Sequence, residues 1–174
     1  RVFLCRFASQ HLTGFWPIIL TEMVRILAQA KVDLPADKSD RLQLVFSVVK
    51  LADFLITLQT DDFQIHQWLL ITDTPDATNP ASSYMADSLL DCLAKFVSEC
   101  QRELVFDAND SLERAQQRRP LLQMSSVATI STLQPFFATA SRAFYQCDFH
   151  ATLDWDNINA CLLHDLFEPI HTNT

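Results

Sequence analysis

Four residues late in the chain have the types and spacing of a metal centre: Cys147 and His150, then Cys161 and His164. Thiolate and imidazole are good zinc ligands, and two Cys-x-x-His pairs could close a tetrahedral site. Cys161 and His164, at i,i+3, share one helix face, and the ten residues between the pairs could fold back. The same residues fit a reading without metal. Cysteine is at home in helical cores, and His164, beside Asp165, suits a surface.

A second constellation is basic. Arg114, Arg118 and Arg119 lie at i, i+4 and i+5, on one side of a helix expected over 111–118. Guanidinium forks match phosphate, which makes these three the candidate lipid-binding residues. The competing reading is a solvated helix face, partly neutralised by Glu113. At about 1 kcal/mol per basic residue near an anionic surface, three arginines anchor weakly without a second contact. Catalysis finds less support. Asp148 stands near His150 and serines are scattered, but no nucleophile sits in a distinctive turn and no oxyanion loop is recognisable. No enzyme and no cofactor is expected.

Composition narrows the scaffold. Of 174 residues 49% are apolar, enough for a core, and Gly14 is the only glycine. That excludes phosphate-binding glycine loops and the Gly-x-Ser-x-Gly elbow. It also disfavours a hairpin-rich β fold, whose tight turns need positive φ. The net charge of −8 argues against a nucleic-acid surface, which needs a concentrated basic face. Residues 1–60 carry 7 basic and 5 acidic side chains, residues 61–110 carry 2 and 10, and residues 111–174 carry 4 and 6. Five cysteines without a Cys-x-x-Cys pair read as reduced thiols of a cytosolic protein. No apolar run reaches the roughly 20 residues of a membrane span.

The elements follow from spacing. Arg1–Ala8 reads as a helix or the end of one. Pro17 suits a first helical turn, and Ile19, Leu20, Met23, Val24 and Leu27 form one stripe. Ser39 or Asp40 can cap a helix over 41–59. There Leu44, Leu51 and Leu58 mark a zipper-like seam, beside a second seam of Leu42, Val45, Val49, Ala52 and Ile56. So much apolar circumference predicts a helix buried on several sides, although the Leu44/Leu51/Leu58 seam also fits a dimerisation surface. Further helices are expected at about 61–71, 84–104, 127–149 with a kink or break at Pro135, and 157–167 capped by Asp154 or Asp156. Thirteen phenylalanines are generous for this length, and some could face a partner. The fold class is therefore all-α, with seven or eight helices. Residues 1–174 would form a single helical-repeat domain, either an α-solenoid segment of HEAT/armadillo type or an irregular bundle. The chain starts at Arg1 without an initiator Met, so a fragment of a larger protein is expected.

Two stretches resemble a known family. His11-Leu12-Thr13, Trp16-Pro17 and Glu22 look like the HLT-x-x-WP-x-x-x-x-E stretch of Dopey proteins. Leu51-Ala52-Asp53-Phe54-Leu55, then Phe63-Gln64 and Trp68, look like the LLDLL…FQ-x-x-x-W stretch beyond it. The likeness is clear over residues 1–72, in the carboxy-terminal region of that family. The resemblance implies a very large cytosolic helical-repeat protein, peripheral on Golgi and endosome membranes and acting in traffic between them. It implies as partners a large scaffold related to Arf exchange factors and membranes bearing phosphatidylinositol 4-phosphate. Kinesin light chains are linked to the family's amino-terminal part. A leucine-zipper-like character of the carboxy-terminal part agrees with Leu44, Leu51 and Leu58. No enzymatic activity comes with the family.

Overall fold

Pro17 lies in the first turn of a 17-residue helix, where its missing N–H costs no hydrogen bond. The computed structural model describes residues 13–67, 70, 93, 117–122, 124, 126–146 and 151–167. Among them run five α-helices: α1 (Trp16–Val32), α2 (Asp40–Leu58), α3 (Asp61–His66), α4 (Gln134–Gln146) and α5 (Trp155–Phe167). Single 3-10 turns, Thr13–Phe15 and Ile130–Leu133, precede α1 and α4. Two short strands, β1 (Gln117–Arg118) and β2 (Thr152–Leu153), pair in parallel. The expected helices over 1–8 and 84–104 lie outside the described residues or touch them only at Leu93.

α1 buries Trp16, Leu20, Met23, Leu27 and Ala30, a 4,3,4,3 stripe that covers one face. α2 starts behind Ser39, whose hydroxyl accepts the Leu42 N–H at 3.2 Å. As the paired seams predict, α2 is buried on several sides, including all of Leu42, Val45, Val49, Ala52 and Ile56, while Asp40, Leu44 and Ser47 stay exposed. The two helices form an antiparallel hairpin. At one end Arg41 of α2 donates to the Asp33 carboxylate (2.6 Å) and the Gln29 carbonyl (3.0 Å). At the other, Trp16 of α1 meets Phe63 of α3, with ring centroids 6.4 Å apart.

Gln59 ends α2 in the left-handed region, with φ 47°, a role usually given to glycine. Thr60 then caps α3 by accepting the Phe63 N–H at 3.4 Å. Lys38, φ 56°, is the other non-glycine residue in that region among the described residues. A chain with one glycine thus places its left-handed turns on polar side chains.

The principal core joins α1, α2, Phe63, Leu70 and Leu93 with Leu122, Val127, Ile130, Leu133, Phe136, Phe137 and Ala140. A second, smaller cluster seats Ile158 and Leu162 of α5 on Phe54, flanked by Leu58 and Leu153. Its helix is capped by Asp154, whose carboxylate accepts the Asn157 N–H at 3.0 Å.

Two expectations are corrected. The helical stretch expected from Val127 starts later: Val127–Thr129 are non-helical, a 3-10 turn covers Ile130–Leu133, and the α-helix begins at Gln134, so the break expected at Pro135 falls one residue before it. The carbonyls of Val127 and Ala128 bond to α2 and its leading turn, and Pro135 falls in the first turn of α4, where it is tolerated. Nor do residues 111–118 end as a helix, since Gln117 and Arg118 are a strand. Arg119 precedes Pro120, and the proline ring disfavours helical backbone in the residue before it.

Candidate functional site

The feature that organises the described residues is a strap, seen at residues 117–122, 124 and 126–128, lying along α2. It runs antiparallel to the helix and is fixed at four levels. The Arg118 guanidinium donates to the Leu58 carbonyl at 3.5 Å. The Asp53 carboxylate accepts the N–H groups of Leu121 (2.8 Å) and Leu122 (2.9 Å). The Gln43 amide donates to the Val127 carbonyl at 3.0 Å. The Lys38 N–H donates to the Ala128 carbonyl at 3.0 Å.

The register is physically sensible. Ten extended residues, at about 3.3 Å each, cover roughly the length of twenty helical residues at 1.5 Å. Pro120 and Leu122 are buried, and Leu121 and Met124 are partly buried against the core.

Asp53 is the centre of this arrangement. It is 1% exposed in a helix whose neighbours are Ala52, Phe54 and Leu55. A buried carboxylate is tolerated when its oxygens are hydrogen-bonded, and here each oxygen accepts a backbone N–H that would otherwise be buried unpaired. With both oxygens engaged and solvent excluded, the group has the surroundings of a structural bond.

Arg118 is equally committed. Its Nε donates to the Ala151 carbonyl at 3.0 Å, while its own carbonyl accepts the Asp154 N–H at 3.1 Å. The charge thereby sits at the carboxyl end of α2, where the helix dipole favours a cation. Arg119 is half-buried on the strap, and Arg114 lies outside the described residues. The candidate lipid cluster is thus seen in part, with one of its guanidiniums turned to backbone carbonyls.

The leucine seam divides along α2. Leu44 is 48% exposed, Leu51 is half-buried against the principal core, and Leu58 is half-buried against the α5 cluster. The seam residues thus occupy three different environments. Of the candidate metal ligands, Cys161 and His164 share α5, and the Cys161 thiol lies 3.6 Å from the Asn157 side-chain oxygen. Cys147 and His150 lie outside the described residues.

The family-like stretches do meet in space. Trp16 of the first packs on Phe63 of the second, and Gln64 of the second donates to the Gln59 carbonyl at 3.0 Å. Glu22 stays at the surface, paired with Arg25 at 2.8 Å within α1. The role of Asp53 was missed by spacing arguments. Its trace in the sequence is a single acid within the otherwise apolar run Leu51–Ile56.

No helix among the described residues is long and apolar enough to cross a membrane. No solved structure matches the chain. Among curated proteins it is similar to Protein DOP1B of Mus musculus, 28% identical over 178 residues, which takes in 83% of this chain and 8% of that protein. Protein DOP1B of Xenopus laevis is 24% identical with the same coverage. Protein dop1 of Emericella nidulans is 32% identical over 94 residues, 52% of this chain and 5% of that protein. The chain therefore spans about 8% of the length of the two DOP1B relatives. The family model described as DOP1 C-terminal matches residues 1–150, which contain the α1–α2 hairpin, Asp53 and most of the strap's contacts, and the chain belongs to that Dopey family, in its carboxy-terminal region.

Proposed function

We propose that the chain is a non-catalytic helical module of a Dopey-type protein, acting by binding in membrane traffic between Golgi and endosomes. The observation that carries this reading is the commitment of its conspicuous polar groups to the chain's own backbone. Asp53 holds Leu121 and Leu122, and Arg118 holds Ala151 and Leu58. What is offered outward is helix surface, including Ile18 and Val32 on α1 and Trp155 and Leu163 on α5. A surface of this kind suits protein contact. The antiparallel α1–α2 hairpin and the small share of the relatives' length support a place within a longer array of helix pairs.

Protein contact takes precedence over lipid contact in this reading, because Arg118 already donates to the Ala151 and Leu58 carbonyls and is half-buried, which holds it away from the posture of a free phosphate fork. Phosphatidylinositol 4-phosphate binding would draw on Arg114 and Arg119. Two measurements on the 174-residue chain decide: capture by the large Arf-exchange-factor-related scaffold, and co-sedimentation with vesicles containing phosphatidylinositol 4-phosphate. Capture with the chain left in the supernatant is the expected result. Pelleting that is lost in Arg114→Glu/Arg119→Glu replaces protein contact with lipid contact. Neither capture nor pelleting overturns the proposal.

A further inference from the structure

α2 has apolar side chains in two different clusters. Val48, Val49, Ala52, Leu55 and Ile56 lie in the principal core with α1 and α4. Phe54 lies outside it, with Ile158 and Leu162 of α5, and the two sets share no residue among those described. The apolar contact of α5 is narrow. Of its side chains from Trp155 to His164 only Ile158 and Leu162 are buried, an i, i+4 pair, whereas α1 buries five. The two-residue β2 adds its parallel pairing with β1. Arg118 ties the parts together. Its Nε donates to the Ala151 carbonyl at 3.0 Å, and a second guanidinium nitrogen donates to the Leu58 carbonyl at 3.5 Å. Its backbone carbonyl accepts the N–H of Asp154, the cap of α5, at 3.1 Å. One residue thus bridges the carboxyl end of α2 and the chain that leads into α5.

We infer that residues 151–167 open from α2 as a unit while the principal core stays closed, and that Arg118 is the latch that sets how often they open. Undocking uncovers Phe54 and breaks the bonds that join Arg118 to Ala151 and Asp154. It leaves intact the core between α1 and α2 and the Asp53 bonds to Leu121 and Leu122. Segments with few buried apolar contacts open at a lower free energy than the whole domain. A helix of 13 residues is marginal in water by itself, so the α5 amides lose their protection once the helix leaves α2. This opening does not depend on what the module binds.

The test is amide hydrogen exchange of the 174-residue chain, read by mass spectrometry in peptides from α5 and from α2 over a series of low urea concentrations. In the wild type α5 is expected to exchange faster than α2 and with a weaker dependence on urea, because its opening exposes less surface. Phe63→Leu weakens the principal core, which stays closed when α5 opens. It should therefore speed exchange in α2 and leave α5 unchanged. Arg118→Ala removes the latch from the closed state and should speed exchange in α5 about five- to thirtyfold. Arg118→Lys should do nearly the same, since an ammonium lacks the fork. Equal exchange and equal urea dependence of α5 and α2 in the wild type overturns the inference, as does Phe63→Leu speeding both helices alike. Exchange in α5 that Arg118→Ala leaves unmoved overturns the latch.

Discussion

The Asp53 carboxylate accepts the Leu122 N–H at 2.9 Å across 69 positions of sequence. One oxygen takes Leu122 and the other takes Leu121, so a side chain of α2 serves as the hydrogen-bonding edge for an extended segment. Removing it leaves two N–H groups beside a buried core. Asp53→Ala is expected to cost about 3–5 kcal/mol, from the loss of two charge-assisted bonds and the stranding of their donors. Asp53→Asn keeps one acceptor oxygen and should cost about half as much. Urea denaturation of the three proteins checks the order wild type, Asn, Ala.

Arg118 joins three elements through backbone carbonyls and its own strand pairing. Arg118→Ala should lower stability by about 1–2 kcal/mol. Arg118→Lys should recover little, because an ammonium lacks the fork that spans two acceptors. Thermal unfolding gives the comparison. A charge reversal that includes Arg118 would therefore disturb the fold and the surface together, whereas Arg114→Glu/Arg119→Glu spares these bonds.

Glycine usage yields a stabilising prediction. Gly14 does not have positive φ, and a Cβ there would meet nothing within 4 Å. Gly14→Ala should raise stability by about 0.4–1 kcal/mol, mainly by restricting the unfolded chain. Exposed Lys38, by contrast, holds φ 56°. Lys38→Gly should add about 0.5 kcal/mol, the relief of the left-handed backbone less the added chain entropy. Calorimetric midpoints of both variants provide the check.

The contact between Trp16 and Phe63 joins α1 to α3. Both side chains are fully buried. Trp16→Ala should cost about 3–5 kcal/mol. A double-mutant cycle with Phe63→Leu should return a coupling of about 0.5–1.5 kcal/mol for the ring pair. A coupling near zero would mean that the tryptophan acts through other neighbours.

Local rules read much of this fold. Ser39, one of two cap alternatives with Asp40, and the double apolar seam give α2 within one residue of its observed ends, and Pro17 falls in the first turn of α1 as expected. Asp154 as the cap of α5 was one of two alternatives, and the helix starts two residues before the expected position. The strap was not legible. Residues 117–128 have no long alternating run, and their partners are Leu58, Asp53, Gln43 and Lys38, far away in sequence. Local spacing carries the periodicity of an element but not the identity of what it lies against. The arginine cluster shows the same limit. A spacing of four reads as one helix face until Pro120 and strand pairing set the backbone otherwise.

The strap's four attachments also bear on how the sequence can drift. Lys38, Gln43, Asp53 and Leu58 fix where residues 117–128 lie, so register is held by the docked segment itself, independent of the number of residues that lead to it. A change in the number of residues that lead to Gln117 therefore leaves the pairing of the strap with α2 unshifted, while a single insertion between Arg118 and Leu121 would put the Asp53, Gln43 and Lys38 attachments out of step.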